Sequence, residues 1–223
     1  MIPNERRLFW ITSCVNTTRE RTSARAQGAV ELNAFSPSRD EESIVLVDAQ
    51  DVPQGVAPKA EVHRRGLKHR AISVLVRNHA GDMLLHRRNV EKYHSGGLWT
   101  NACCSHPRPG EAAEDAARRR LAEEMGIRCG VTPLFVAQYR AAVSNGYIED
   151  EVVRVFGSTY EGPISPDPAE VSEWKWLPLA ELADDLVRRP DSYTVWFRHY
   201  FREHSDDIAA WMEAGELGGG RPR

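Results

Sequence analysis

Cysteine is scarce in this chain: four in 223 residues, at positions 14, 103, 104 and 129. That is too few for the stapled scaffold of a small secreted domain, so a reducing compartment, the cytoplasm, is the expected location. Long apolar runs are missing as well. No stretch approaches the roughly 18 residues of a membrane helix, and no secretory h-region with a small-residue cleavage site is present. Nor does one sign of charge prevail: 29 Lys and Arg against 32 Asp and Glu leave a net charge of -3, which argues against nucleic acid or an anionic membrane as the main partner. There is no internal repeat. A phosphate-cradling glycine loop after a strand is also absent, which removes support for a flavin enzyme. What is present is ordinary: 41% hydrophobic and 27% charged residues, in a chain long enough to bury a core without disulfides or a structural metal. A monomer is expected.

Residues 1–43 stand apart, with Arg6, Arg7, Arg19, Arg21 and Arg25 set among Ser, Thr and Asn. An Arg- and Ser-rich composition suits a targeting peptide, but Glu5 and Glu20 oppose that reading; a mobile extension or an over-called start is the expectation. Residues 215–223 read as a flexible tail. Between them, 44–214 form one domain of mixed α/β pattern. Ile44 to Val47 predicts a strand turning at Asp48, and Ala71 to Val76 and Met83 to Leu85 predict a hairpin around Asn78 to Asp82. Trp99 to Cys104 reads as one extended stretch. A helix opens at Pro109-Gly110-Glu111, runs to Met125 and stops at Gly126. Strands follow near Leu134 to Ala142 and Glu149 to Thr159, then Trp174 to Trp176 leading into a helix begun by Pro178. A single last helix from about Ser192 to Glu213 carries Trp196, Phe197, Tyr200, Phe201, Ile208 and Trp211 at helical spacing. Strands, then helix, then strands predict an α+β layered domain.

The chemistry concentrates in few places. Adjacent Cys103 and Cys104 on a strand point to opposite faces, one toward a site and one toward the core. Cys104 and His106 are two apart and share a face if extended, as do Glu149 and Glu151, which repel unless a cation or proton lies between them. His63 and His69 precede the first long strand. Three imidazoles and two carboxylates would suit Mn, Zn, Fe or Mg, although by spacing alone surface histidines and a solvated strand face are the stronger readings. Arg120 and Glu124 lie one helical turn apart, either as a surface ion pair or as a cation for phosphate beside a carboxylate for metal. Arg87, Arg88, Lys92 and Lys59 are further candidate phosphate contacts, with Arg87-Arg88 also readable as a solvated basic run.

The segment Ser105 to Ile127 resembles the Nudix box, in which Gly, five residues, Glu and seven residues precede Arg-Glu-hydrophobic-x-Glu-Glu-x-Gly. Glu111, Arg119, Leu121, Glu123, Glu124 and Gly126 match. Ser105 stands where Gly is expected, and Arg120 where the family has a metal-binding Glu. Losing that carboxylate should cripple metal-assisted diphosphate hydrolysis, whereas the added cation favours diphosphate binding. Arg120 occurs here with Trp99-Thr100-Asn101-Ala102-Cys103-Cys104-Ser105-His106-Pro107, Arg87-Arg88 with Lys92, Tyr139-Arg140-Ala141, Glu149-Asp150-Glu151 and Trp196. As a set, from about Ile44 to Trp196, these resemble the type 1 isopentenyl diphosphate isomerase branch of the Nudix superfamily.

That resemblance implies an α+β fold, a Nudix-type mixed β-sheet layered between helices. It implies interconversion of isopentenyl and dimethylallyl diphosphate by protonation and deprotonation through a tertiary carbocation. Cys104 would be the catalytic thiol, Glu151 the acid across the substrate and Tyr139 its supporting phenol. Trp196 would face the carbocation. His63, His69, His106, Glu149 and Glu151 would hold a divalent ion, Mn²⁺ or Zn²⁺. Glu124 and the Cys104 carbonyl would hold the Mg²⁺ that rides on the diphosphate, which Lys59, Arg88, Lys92 and Arg120 would contact. Two departures bear on geometry. Ser105 would be strained if its backbone needed positive φ, and His63 and His69 are six apart where relatives have seven. The alternatives are a Nudix hydrolase acting on a nucleoside diphosphate derivative and a non-catalytic zinc corner of Cys103, Cys104 and His106.

Overall fold

The computed structural model describes residues 42–216. The expected N-terminal extension and tail therefore lie outside the described residues, except that Ser43 opens the first strand and the last helix runs to Glu216. Nine strands and five α-helices follow in the order β1 Ser43–Val47, β2 Pro53–Pro58, α1 Lys59–Arg65, β3 His69–Arg77, β4 Asp82–Arg88, β5 Trp99–Asn101, β6 Cys103–Ser105, α2 Ala113–Met125, β7 Thr132–Ala142, β8 Ile148–Thr159, β9 Val171–Pro178, α3 Leu179–Arg188, α4 Val195–Glu203 and α5 Ser205–Glu216.

β3 is the spine. One of its edges carries β8, parallel, along the whole strand from His69↔Glu151 to Arg77↔Thr159. The other edge is shared by β1 at His69, β6 at Ile72 to Val74 and β4 at Arg77. β4 then leaves β3 and runs between β5 and β9, and β7 pairs antiparallel with β8. A strand covered on both faces reads as a continuous apolar run, and in β3 the two-residue period divides it between two cores. Ala71 and Leu75 pack with Tyr139, Val153 and Val155 under α4 and α5, through Trp196, Phe197, Tyr200, Ile208 and Met212. Ile72, Val74 and Val76 pack with Leu121 and Met125 of α2. Burying a side chain of this size contributes about 1.5–3 kcal/mol, so the two cores fix which face of the sheet each polar neighbour meets.

The structure corrects several boundaries. Trp99 to Cys104 is two strands, broken at Ala102, because β5 pairs with β4 while β6 pairs with β3. Helix α2 begins at Ala113. Glu111 precedes it in a loop, where its carboxylate accepts from Arg119 at 2.7 Å and from the Arg108 N–H at 2.8 Å. Gly126 does stop α2, with φ of 70° and a position where a Cβ would lie 2.6 Å from the Ser165 carbonyl oxygen. The single C-terminal helix is a 3₁₀ turn, α4 and α5. His204 breaks it: its N–H bonds back to Tyr200, while its carbonyl accepts from Ile208 at 3.0 Å and so begins the next helix. Ser205-Asp206-Asp207 is a helix-start signal placed inside the apolar stripe. β2 and α1 had no periodic signal; β2 is an exposed edge strand bounded by prolines, where their missing N–H costs little.

Candidate active site

Strand parity places the site on the face of the sheet beneath α4. In the registers His69↔Glu151 and Ser73↔Cys104, the odd residues of β3 and β8 and Cys104 all project toward the core that holds Trp196 and Tyr200. Cys103 projects the other way and packs against α2. The expected division of the two thiols, one to a site and one to the core, is thus observed. Cys104, His106, Glu149, Glu151, Tyr139 and Trp196 line one cavity, and so do Lys59, Arg88, Lys92, Arg120 and Glu124. Of the expected residues only His63 and His69 are not among its lining; they lie directly behind Glu149 and Glu151.

The floor of the cavity is an imidazole–carboxylate cluster. His63 sits in α1, not in a loop, and Gly66 closes that helix at φ 59° with no room for a Cβ, which would lie 2.8 Å from Ile148. This left-handed stop turns the chain within three residues so that His69 opens β3. The His63 and His69 rings lie 5.0 Å apart, and His106 is 5.4 and 5.0 Å from them. His63 Nδ1 donates to the Lys59 carbonyl at 2.7 Å and His69 Nδ1 to that of Leu67 at 2.8 Å. A carbonyl only accepts, so both protons are on Nδ1 and both Nε2 lone pairs face inward. Nε2 of His63 is 3.3 Å from Glu149, and Nε2 of His69 and of His106 are each 3.4 Å from Glu151. Yet Nε2 of all three histidines and Glu149 Oε2 are buried without a hydrogen bond. An orphaned buried polar atom costs about 1–3 kcal/mol, and four facing one another fit a divalent cation. Burial drives the His106 imidazole down to about 3, whereas for His69 the same effect is outweighed by Glu151 and Glu149, and its basicity is raised. Burial and the neighbouring Glu149 charge push the Glu151 carboxyl up, but the His106 and His69 rings beside it outweigh them and bring it to about 2.

Tyr139, opposite Glu151 in the β7–β8 ladder, donates its hydroxyl to Glu151 Oε2. Burial, then the charges of Glu151 and Glu149, hold its phenol well above the usual value. On the other flank of β3, the Cys104 thiol donates to Asn101 Oδ1 at 3.1 Å and lies 3.2 Å from Ser73 Oγ. Asn101 Nδ2 in turn donates to Ser73 Oγ and to the Val74 and Cys103 carbonyls, each at 2.9 Å. Burial pushes the thiol up to about 12, so the sulfur keeps its proton at neutral pH. Sequence reasoning passed over Asn101 and Ser73; the one available signal was an Asn inside a short strand, where its type is disfavoured. His94 was missed too, and nothing in its sequence neighbourhood marks it.

The far end of the cavity is cationic. Arg120 Nη2 reaches Glu124 Oε1 at 2.7 Å and Glu170 Oε1 at 3.5 Å, and Lys92 pairs with Glu170. Burial raises Glu124 above the usual carboxylate range in spite of Arg120. Arg88 is 8% exposed and stacks 5.2 Å from the Trp196 ring centroid. Arg87, next along the strand, faces solvent and pairs with Glu173 at 2.8 Å, so the basic pair splits between the two faces. Trp196 is pinned by its indole N–H to Thr100 Oγ1 at 2.9 Å. Ser105 lies in β6 against Ile72; positive φ among non-glycine described residues is confined to Asp51, Ser95 and Asn145, so the strain considered for Ser105 does not arise.

A NUDIX domain family model matches residues 67–198. An isopentenyl-diphosphate Delta-isomerase of Burkholderia multivorans is 46% identical over 157 residues, covering 70% of this chain and 89% of that protein. One of Pectobacterium atrosepticum is 47% identical over 165 residues, covering 73% and 91%. Among solved structures, a Deinococcus radiodurans protein superposes with a TM-score of 0.59 at 17% identity, covering 72% of this chain and 98% of its own. That likeness bears on the fold alone.

Proposed function

Since this chain belongs to the NUDIX domain family and, within it, to the isopentenyl-diphosphate Delta-isomerases, we propose that the cavity described above grips a five-carbon diphosphate intact at one end and moves protons at the other. The reaction interconverts isopentenyl and dimethylallyl diphosphate. A proton added to the terminal alkene carbon gives a tertiary carbocation, and loss of a proton from the neighbouring methylene gives the allylic isomer. An unactivated alkene needs a strong acid held against one face and a base against the other.

The observation that carries this reading is the pairing of Cys104 and Glu151 across one cavity, on strands that flank β3 on either side. Cys104, oriented by Asn101 and Ser73, serves one face of the substrate; Glu151 with Tyr139 serves the other. Trp196 presents its π system beside them, where a developing cation is favoured. Lys59, Arg88, Lys92 and Arg120 hold the diphosphate oxygens, so binding energy remote from the reacting carbons orients them. Arg120 also separates this site from a hydrolase: a guanidinium occupies the place of a metal-binding carboxylate, so the diphosphate is held and not cut.

The orphaned Nε2 atoms of His63, His69 and His106 and the Glu149 oxygen support a divalent ion, Mn²⁺ or Zn²⁺, held by His63, His69, His106, Glu149 and Glu151. Such an ion, when bound, supplies a fixed positive charge that orients the Glu151 carboxyl and tunes its acidity. Glu124 and the Cys104 carbonyl are assigned to the Mg²⁺ that accompanies the diphosphate. Free thiols at Cys103, Cys104 and Cys129 suit a reducing compartment, the cytoplasm in this proposal, and no described helix is long and apolar enough to cross a membrane. Isopentenyl diphosphate turnover in Mg²⁺, with and without added Mn²⁺ or Zn²⁺, tests the reading. Dimethylallyl diphosphate is the expected product; release of phosphate or of a nucleoside monophosphate from a nucleotide panel, without isomerisation, overturns it.

A further inference from the structure

His94 lies outside the ligand set assigned above, yet its ring is 97% covered and enters the same cluster. Its Nε2 stands 2.9 Å from Glu149 Oε1, the oxygen that faces away from His63 and His69. A carboxylate only accepts, so Nε2 carries the proton, and Nδ1 accepts from Ser95 Oγ at 3.1 Å. His94 therefore has no lone pair directed at the cluster; it holds one Glu149 oxygen and leaves the other, the orphaned Oε2, turned inward.

The loop that presents His94 is tied down on both sides. The Ser95 N–H donates to Ser144 Oγ at 2.8 Å, and Asn145 Nδ2 donates to the Tyr93 carbonyl at 2.7 Å. Ser144 and Asn145 belong to the turn between β7 and β8, the strand that carries Glu149. Ser95 and Asn145 are also two of the three non-glycine described residues with positive φ, at 54° and 63°. Backbone strain of this kind persists only where the surroundings enforce it, and here both strained residues brace one imidazole. The His94 carbonyl meanwhile accepts from Arg88 Nη2 at 3.3 Å, and its ring stands edge-on to Trp196 at 6.0 Å.

We infer that His94 is a positioning residue: by donating to Glu149 Oε1 it orients that carboxylate for the divalent ion, and through the same loop it ties the ion cluster to the Arg88 end of the cavity. This rests on the proposed ion site and adds to it a residue that is not a ligand. Partners of this kind are worth roughly 10–100-fold in metal affinity.

The test uses the full chain, stripped with a chelator and titrated with Mn²⁺ or Zn²⁺ alone against a chromophoric competitor. His94→Ala is expected to weaken ion affinity 10–100-fold, and His94→Gln, whose amide N–H reaches the same oxygen, to recover most of it. Melting curves check the fold. Should the Ala variant not fold, His94→Asn, too short to reach Glu149, takes its place. Equal affinity in parent and variant, or a Gln variant as weak as Ala, overturns the role of His94 and leaves the ion site standing. A parent that takes up no divalent ion overturns both.

Discussion

The two ends of the cavity use opposite charge logic. At the floor, three imidazole nitrogens and a carboxylate oxygen face one another without hydrogen bonds, an arrangement that stays uncompensated until a cation enters. At the cationic end, Arg120 is already matched by Glu124 and Glu170, and Lys92 by Glu170. In the proposed function an ion fills the first end and stays there. The second exchanges, because an incoming diphosphate would compete with Glu124 and Glu170 for the same cations. The difference teaches that a resident ion and a transient anion call for different states of the empty protein: orphaned donors of electron pairs for one, a self-neutralised network for the other.

If that contrast is right, substitutions at the two ends separate in kinetics. Cys104→Ala and Glu151→Gln are expected to lower kcat by about 10²–10⁴-fold, with circular dichroism and melting unchanged. Near-normal turnover in either variant would break the assignment of the reacting end. Arg120→Ala is expected to raise KM for isopentenyl diphosphate by about tenfold or more, since charge-assisted bonds are worth about 1.5–3 kcal/mol, while kcat changes little. A fall in kcat with KM unchanged would mean that Arg120 acts on the transition state. Tyr139→Phe removes one hydroxyl that acts through Glu151 and should cost kcat about tenfold, with ion affinity held; a loss of ion affinity instead would move Tyr139 to the other side of the comparison.

The smallest effect provides a control outside both ends. Asp185 is held down to about 2 from an ordinary 3.8 by hydrogen bonds from Arg189 and Tyr193. A carboxyl lowered by folding contributes stability that is complete above its unfolded value and is lost as pH falls through the folded one. Urea midpoints measured from pH 6 down to pH 2.5 should therefore fall further for the parent than for Asp185→Asn, and turnover at neutral pH should be alike. Parallel midpoint curves would remove this role.

How much was legible follows from the range of each signal. That Cys104 and His106, and Glu149 and Glu151, share a face was readable because a strand's two-residue period is local; their roles, like that of Arg120 in its spaced motif, came from resemblance. The assignment of His63 came from resemblance, since α1 is too short to show a helical period. Asn101 and Ser73 act through bonds to residues 27 to 31 positions away in the chain, a separation no local pattern reports. The last helix differs from its expectation because its apolar spacing continues across His204 and masks the local helix-start signal at Ser205-Asp206-Asp207.

By itself, then, the order of residues determined the alternating strand faces and the mismatch at Arg120 that sets this chain apart from a diphosphate-cleaving one. The tertiary structure alone decided that imidazoles from α1, β3 and the segment after β6 meet carboxylates from β8, and that His94 braces one of them from a loop tied to a distant turn. The physical reason is that propensity and periodicity act between neighbours, whereas a buried polar cluster exists only once chain segments far apart in sequence have excluded water together.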